Sequence, residues 1–423
     1  MWSFILPYQR DTALRHMLSW AAHLFYWVYP GVMVAFMGIL LTYIAGVFGI
    51  ALTTPAQIVI CIVFAALVGA IAWRGISGST NVAIAINVIQ LVALVIFSIL
   101  CILFRLNNPL GIASNEWFHS VPSSIVLPHN FAGLLFQSTI AILILVGFES
   151  STALAAEAKN PTKDIPRGVI LSLVIQGIFA YLFEYFAANY ALSSKLTFTA
   201  TDGTVLTGIS AAGASGAPIG DLAVQVGNAM LGGNGQALMI ILAITVAIAI
   251  LGTTLAAMNT GVRISFAMAQ DREMPDIMGL LHGKYATPHM GIVIMVIVSA
   301  IIGAIGVVNV VALTGITLAS NLGTFVLYGM ICAITIVAFV GTNAFNFMTH
   351  AIIPILGLIG NIIMVGAIFI IGLTTGGTTT QATVLALAIS GLWLVVAVVY
   401  FVINSRQTGM PIIPSARAMG GTD

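Results

Sequence analysis

The stretch VGFESST at residues 146–152 interrupts a long apolar run with one glycine, one glutamate and three hydroxyl residues. The surrounding run, near 131–157, is long enough to cross the roughly 30 Å hydrocarbon core of a bilayer as a helix. A charged side chain at that depth costs about 3 kcal/mol on insertion scales, so the presence of Glu149 there requires a structural or functional explanation. One interpretation is a helix that breaks at Gly147 and offers its half-helix ends to an ionic ligand. The other is a continuous helix whose glutamate faces a polar neighbour. The sequence favours the break.

The composition of the whole chain is that of a membrane protein. Of its 423 residues, 60% are hydrophobic and only 6% are charged, and the mean hydropathy is +1.11. Soluble domains carry roughly 25% charged residues, so a soluble globular protein is excluded. The formal net charge is +1, which excludes the basic surface that nucleic acid binding requires.

Ten apolar segments are long enough to span a bilayer as helices, at roughly 20 residues each. Their continuous Leu, Ile, Val and Ala runs differ from the alternating pattern of an outer-membrane barrel. The expected fold is therefore all-α, a polytopic protein with one membrane domain. The segments lie near 19–47, 56–73, 79–104, 131–157, 167–192, 236–268, 290–310, 313–339, 349–373 and 382–404.

The basic residues predict the orientation, because Lys and Arg concentrate in cytoplasmic loops. Ten spans place both termini on one side, and eleven of the thirteen basic residues fall on that side. Only Arg105 and Lys195 fall on the other side. We expect a multi-pass protein of the cell membrane with both termini in the cytoplasm. No signal peptide is recognised after Met1, so the first span is expected to anchor the chain.

Two long loops, 105–130 and 193–235, are expected on the side opposite the termini. Both are rich in Gly, Ser, Thr, Asn and Pro. Within the second loop, residues 219–231 carry a weak amphipathic pattern. This pattern fits a short helix on the membrane surface, with an irregular loop as an equal alternative.

A second deep acid, Glu184, lies in the fifth segment. Either it belongs to a substrate or ion pathway, or its carboxyl is protonated and hydrogen bonded to a tyrosine such as Tyr181. The second, structural interpretation is favoured. Glu157, beside Lys159, is expected to be a boundary charge at the inner end of the fourth segment, where no transport role is needed.

Other polar residues recur inside the apolar segments. In the third segment, Asn87, Gln90 and Ser98 return to nearly the same helical face. Hydrogen bonding between helices is favoured there over an ion or proton site. Candidates to line a cavity, with helix packing as an equal alternative, are Thr253, Thr254, Asn259, Ser320 and Asn321.

The sequence gives no support for a metal, cofactor or nucleotide site. Its three cysteines are far apart and lack CxxC spacing, and none of the histidines has ligand spacing. We therefore expect no metal and no cofactor. A G-x-x-x-x-G-K-[ST] loop is absent, which excludes ATP-driven pumping by this chain. Any transport is then passive or driven by an ion gradient, with H⁺ or Na⁺ as the possible ion.

Two groups of motifs carry a resemblance to a known family. They are GFES (147–150), EAKNP (157–161) and IPR (165–167), then NTGVR (259–263), FAMAQDREMP (266–275) and TP (287–288). They resemble the sixth and eighth helices, with their following loops, of the amino acid–polyamine–organocation superfamily of permeases. Ala156 and Gln270 depart from the family pattern. The resemblance covers essentially the whole chain.

The resemblance implies a LeuT-type fold, in which two inverted five-helix repeats surround a central substrate site and two further helices follow. If 131–157 corresponds to the family's sixth helix, the family's first two helices lie outside the 423 residues. The expected organisation is then a first-repeat remnant at 19–104, a second five-helix repeat at 131–339 and two additional helices at 349–404.

The resemblance also implies which residues form the site. In relatives, backbone carbonyls at the break receive the substrate's amino group, and a glutamate at the position of Glu149 senses protons or organises a network. Gln90 aligns with a lysine of proton-coupled members, and a glutamine cannot titrate. The substrate-site candidates are Leu143, Val146, Gly147, Phe148, Glu149, Ser150, Ala257 and Asn321. The candidates for ion coupling or gating are Glu149, Gln90, Thr253, Thr254 and Glu184.

The leading functional hypothesis is secondary-active transport of amino acids by alternating access. A neutral amino acid is favoured over a polyamine because the spans hold few deep acids. The alternative is a permease fragment, or a subunit that needs another chain to complete the site. An enzyme is not expected, because the two deep acids lie on different segments without a nucleophile–base pair.

Overall fold

The computed structural model describes residues 12–75, 80–128, 130–154, 158–199, 203–271 and 273–408. In this part of the chain, ten helical segments are long and apolar enough to cross a membrane, which confirms the prediction of ten spans. They are Ser19–Val47, Thr54–Trp73, Ile84–Asn107, Phe131–Thr152, Pro161–Ala191, Gly235–Gln270, His289–Gly306, Val310–Phe339, Met348–Thr374 and Gly377–Arg406.

Most spans are single α-helices, but the fourth, fifth and ninth combine different helix types. The α-helices are α1 (Thr12–Val47), α2 (Thr54–Trp73), α3 (Thr80–Asn107), α4 (Ser123–Val126), α5 (Phe131–Ala141), α6 (Pro161–Gln176), α7 (Phe186–Ala191), α8 (Gly208–Ala214), α9 (Pro218–Met230), α10 (Gly235–Gln270), α11 (His289–Gly306), α12 (Val310–Phe339), α13 (Ile353–Thr374) and α14 (Gly377–Thr408). The 3-10 turns are Ser114–Glu116, Ile142–Ile144, Phe148–Leu154 and Asp276–Gly279, the π-helical turns are Gly177–Tyr185 and Met348–Ile352, and the strands are β1 (Thr197–Thr199) and β2 (Val205–Thr207).

The fifth span begins earlier than the hydropathy pattern predicted. Helix α6 starts at Pro161, six residues before the expected start at 167. Proline suits the first helical turn because its missing N–H would have no partner there. The carboxylate of Asp164 also accepts a hydrogen bond from the backbone N–H of Asn160 at 3.1 Å, which caps the start. Polar caps therefore extend this helix beyond its apolar part.

Helix α1 is the central element of the bundle and packs against α10, α11 and α12. Small residues let it approach α11 closely. A Cβ at Gly303 would lie 2.4 Å from Cγ1 of Val34, and one at Gly31 would lie 2.5 Å from Cβ of Ile302. Small residues that let neighbouring helices approach closely are common where helices associate in lipid. Pro30 lies inside α1 and cannot donate to the carbonyl four residues earlier.

The described residues of the loop between the fifth and sixth spans contain helices and two short strands. Residues 219–231, for which helix and irregular loop were equal alternatives, form α9, whose residues Leu222 and Val226 are buried. The preceding residues hold a β-hairpin that the sequence analysis missed. There β1 pairs antiparallel with β2, with Phe198 opposite Leu206.

Candidate functional site

The fourth span is broken in the middle, as the sequence favoured. Helix α5 ends at Ala141, a 3-10 turn follows, and a second 3-10 turn begins at Phe148. Between them Gly147 adopts φ +115°, a conformation that side-chain-bearing residues rarely take up. The glycine thus allows the chain to change direction inside the span.

Glu149 joins three elements at this break. Its Oε1 accepts a hydrogen bond from the hydroxyl of Tyr26 on α1 at 3.0 Å. Its Oε2 accepts one from the hydroxyl of Tyr328 on α12 at 2.6 Å, and another from the backbone N–H of Gly147 at 3.0 Å. The Tyr26 hydroxyl also lies 3.1 Å from Oγ of Ser150. The carboxylate is therefore surrounded by donors, which offsets its removal from water.

The open end of α5 is held by Asn321 of α12. The last carbonyls of a helix lack partners within it. Here the Asn321 amide donates to the carbonyl of Thr139 at 2.8 Å and to that of Ile140 at 3.3 Å. Asn321 is fully buried, and its Oδ1 has no hydrogen bond partner among the described residues. This residue, for which cavity lining and helix packing were equal alternatives, clamps the broken helix.

The structure brings most of the predicted substrate-site residues together. Val146 and Ala257 are buried in one apolar cluster, and Leu143 packs against it. The ring of Phe148 lies 5.6 Å from that of Tyr328. The break therefore combines an apolar wall with the polar group around Glu149.

The sequence analysis missed the two tyrosines that bind Glu149. Tyr26 belongs to the aromatic stretch FYWVYP at 25–30, which indicated only a helix. Tyr328 follows Asn321 by seven residues, two helical turns, so the two residues share one face of α12. That spacing was a usable signal.

The predicted coupling residues are more dispersed. Thr254 is buried but donates to the carbonyl of Ile250 in its own helix, and Thr253 is exposed. Gln90 is partly buried on α3, and Glu184 lies in the π-helical turn Gly177–Tyr185, which packs against α3. Neither is a hydrogen bond partner of Glu149.

The remaining sequence predictions concern the polar stripe of α3 (Asn87, Gln90 and Ser98), the acid Glu157 and the tyrosine partner of Glu184. On α3, Ser98 is buried whereas Asn87 is exposed, so the polar stripe faces the bundle only in part. Glu157 and the side chain of Tyr181 lie outside the part that the structure describes. The boundary role of the first and the pairing of the second with Glu184 stay predictions.

A multi-pass helical bundle with one span broken along its length, and with polar groups gathered at the break, is an arrangement typical of transporter folds. The comparison with protein families agrees. The amino acid permease family model matches residues 11–408. The chain belongs to the amino acid permease family.

Three relatives are similar to parts of the chain. The branched-chain amino acid permease BcaP of Bacillus subtilis (strain 168) is 25% identical over 231 residues, which is 52% of this chain and 43% of that protein. The methylthioribose transporter of the same strain is 23% identical over 289 residues, 68% of this chain and 52% of that protein. BcaP of Lactococcus lactis subsp. cremoris (strain MG1363) is 30% identical over 187 residues, 42% of this chain and 34% of that protein. The chain spans about half the length of these relatives or less.

Proposed function

We propose that this protein is a secondary-active transporter that moves an amino acid across the cell membrane by alternating access, with both termini in the cytoplasm. The observation that carries the proposal is the convergence of α1, the broken span and α12 on Glu149. These elements come from distant parts of the chain, so a ligand that engages the break can bias their relative arrangement. A change that depends on a ligand requires such differential contacts.

The substrate ammonium group is proposed to bind at the carbonyl of Val146. Of the carbonyls of Val146, Gly147 and Phe148 at the break, that of Gly147 already accepts a hydrogen bond from the backbone N–H of Ser150. The carbonyl of Phe148 accepts from the hydroxyl of Ser151. The Val146 carbonyl accepts no hydrogen bond from the described residues.

The substrate side chain is proposed to pack on the apolar wall formed by Leu143, Val146, Phe148 and Ala257. This wall offers no charged partner, so a neutral amino acid fits it better than a polyamine does. Two of the relatives are branched-chain amino acid permeases, which supports an aliphatic substrate. One relative is a methylthioribose transporter, so related polar compounds belong in the test.

Thermal unfolding of the detergent-purified chain tests the binding step. The panel contains the twenty amino acids, common polyamines and methylthioribose, with Glu149→Gln as the variant. A ligand in roughly 100-fold excess over its Kd adds about 2.7 kcal/mol to the stability of the folded state. We expect a selective upward shift with leucine, isoleucine or valine that Glu149→Gln removes. A chain that unfolds cooperatively but shows no shift with any compound would overturn the proposed site.

Uptake into liposomes then tests transport. Labelled leucine is offered under an imposed pH gradient, a Na⁺ gradient or neither. Uptake that exceeds that of protein-free liposomes under any one condition supports the proposal, and the effective gradient names the coupling ion. Ligand binding without uptake would instead support the alternative of a subunit that needs another chain to complete its path.

A further inference from the structure

A polar cavity of about 540 Å³ lies at the far end of α1 from its N-terminus. It is bounded by α1, α9, the first turn of α10 and the segment around Lys195. Its residue Tyr43 follows Tyr26 of the Glu149 network by 17 residues on the same helix. At 1.5 Å per residue, that separation is about 25 Å along the helix. The cavity is therefore distinct from the break.

A carboxylate is fixed on one wall of this cavity. Asp221 lies in the first turn of α9, and its Oδ1 accepts a 2.7 Å hydrogen bond from the hydroxyl of Tyr43. Tyr43 can reach it because the neighbouring residue is Gly220, where a Cβ would lie 2.8 Å from the tyrosine ring. Asp221 Oδ2 has no hydrogen bond partner among the described residues. One oxygen of a positioned carboxylate is thus available to a donor.

An ammonium group lies on the same cavity. Lys195 is 49% exposed, and its Nζ is 3.4 Å from Oε1 of Glu116. An exposed pair of this kind contributes little and is easily rearranged, and the ammonium has three protons to donate. Arg105, the other basic residue expected on this side, already stacks on Trp117 at 4.1 Å and donates to backbone carbonyls. Lys195 is therefore the cation that can serve the cavity.

Amides complete the lining. Gln225 contributes an Oε1 that is buried and has no hydrogen bond partner among the described residues. Gln236 and Asn228 add further amide groups to the lining.

These groups select a ligand that carries both charges. A simple anion would be repelled by Asp221, and a polyamine would be repelled by Lys195. A small zwitterion satisfies both, with its ammonium group on Asp221 and its carboxylate on Lys195. The cavity volume falls within the roughly 300–1,000 Å³ of small-molecule sites.

We propose that this cavity is a second binding site, for a free amino acid, on the side of the membrane opposite the termini. The choice of an amino acid over other zwitterions rests on the proposed function. The inference that the ligand is a zwitterion rests on the charges of the cavity and is independent of the proposed function. A ligand held here contacts α1 at Tyr43. That contact is about 25 Å along α1 from Tyr26, which binds Glu149 of the broken span.

Protection of a single introduced cysteine tests the proposal. Gln236→Cys places a thiol on the cavity wall, at an exposed residue in the first turn of α10. Ser210→Cys is the matched control, at an exposed position of α8 in the same loop and outside the cavity lining. The unmodified chain, with its three native cysteines, gives the background for a charged maleimide.

L-leucine is the first probe, followed by the other amino acids. We expect it to slow labelling of Gln236→Cys about tenfold when it is in roughly tenfold excess over its Kd, and to leave Ser210→Cys unchanged. Adding Asp221→Asn or Lys195→Gln should abolish the protection, and Lys195→Arg should keep it. Adding Glu149→Gln should also keep it, because the two sites are separate.

Three results would overturn the second site. They are no protection by any amino acid, protection that survives Asp221→Asn, and protection that disappears with Glu149→Gln. The last result would assign the effect to the break and leave the proposed function standing. Each double variant is first shown to elute as a single peak in gel filtration and to unfold cooperatively.

Discussion

Tyr328 and Glu149, 179 residues apart in sequence, are joined by a 2.6 Å hydrogen bond from the tyrosine hydroxyl to Oε2. This bond connects α12 to the broken fourth span at the level of the break. Tyr26 makes the corresponding bond from α1 to Oε1 at 3.0 Å. The carboxylate therefore holds two long helices to one short segment. Removing either tyrosine hydroxyl measures how much its hydrogen bond contributes to the stability of the protein.

Tyr328→Phe should destabilise the protein. It removes a hydrogen bond to a charged acceptor, a type that contributes about 1.5–3 kcal/mol. Thermal or denaturant unfolding in detergent measures the loss. Tyr285→Phe is the control, since Tyr285 is exposed in a loop. The double variant Tyr26→Phe/Tyr328→Phe should depart from additivity by about 0.5 kcal/mol or more, because both hydroxyls share one carboxylate. Strict additivity would contradict a shared network.

Gly147→Ala should also be destabilising, although a Cβ there meets no atom within 4 Å. The cost of about 1–3 kcal/mol comes from the backbone, because φ +115° is strained for any residue with a side chain. Gly168→Ala is a matched control in the middle of α6, where a Cβ also has open space. It should be neutral or stabilising by up to about 1 kcal/mol. If Gly147→Ala and Gly168→Ala changed the free energy of unfolding equally, backbone strain at position 147 would be refuted.

Asn321→Ala should loosen the end of α5. The carbonyls of Thr139 and Ile140 lose their amide donor, and an unsatisfied buried group costs about 1–3 kcal/mol. Hydrogen exchange should become faster around residues 140–147. Asn361→Ala is the comparison, because the Asn361 amide donates only to Gly357 of its own helix. Unchanged hydrogen exchange at residues 140–147 in Asn321→Ala would show that the Asn321 hydrogen bonds do not hold the end of α5.

The proposed orientation is testable with two cysteines. Ser210→Cys lies in the loop between the fifth and sixth spans, and Lys284→Cys lies in the loop between the sixth and seventh. In intact cells, a membrane-impermeant maleimide should label the first variant and not the second, which should react only after permeabilisation. The opposite pattern would place the termini outside.

Spans and break were predictable because each depends on local sequence. The length of an apolar run decides whether it crosses the membrane, and the glycine of VGFESST decides where a helix can turn. The partners of Glu149 were not predictable in this way. Tyr26 lies 123 residues before it, so its contact depends on how α1 packs.

The role of Asn321 illustrates a similar limit. Its position in an apolar run indicated either a cavity or helix packing, and sequence alone offered no way to decide. The structure shows an amide that caps two carbonyls on another span. The π-helical turn Gly177–Tyr185 was missed because its residues are as apolar as those of the α-helices around it.

Pro30 lies in α1 between Tyr26, which binds Glu149, and Tyr43, which lines the cavity, and it makes the helix easier to bend there. The proline cannot donate to the carbonyl of Tyr26, so the helix is most easily bent beside the residue that binds Glu149. From Pro30 to Tyr43 the helix runs about 20 Å. A tilt of about 10° at the proline would therefore swing Tyr43 by roughly 3 Å. With such a tilt, the far half of α1 would act as a lever arm that converts a small change at the glutamate into a movement about as large as the length of a hydrogen bond.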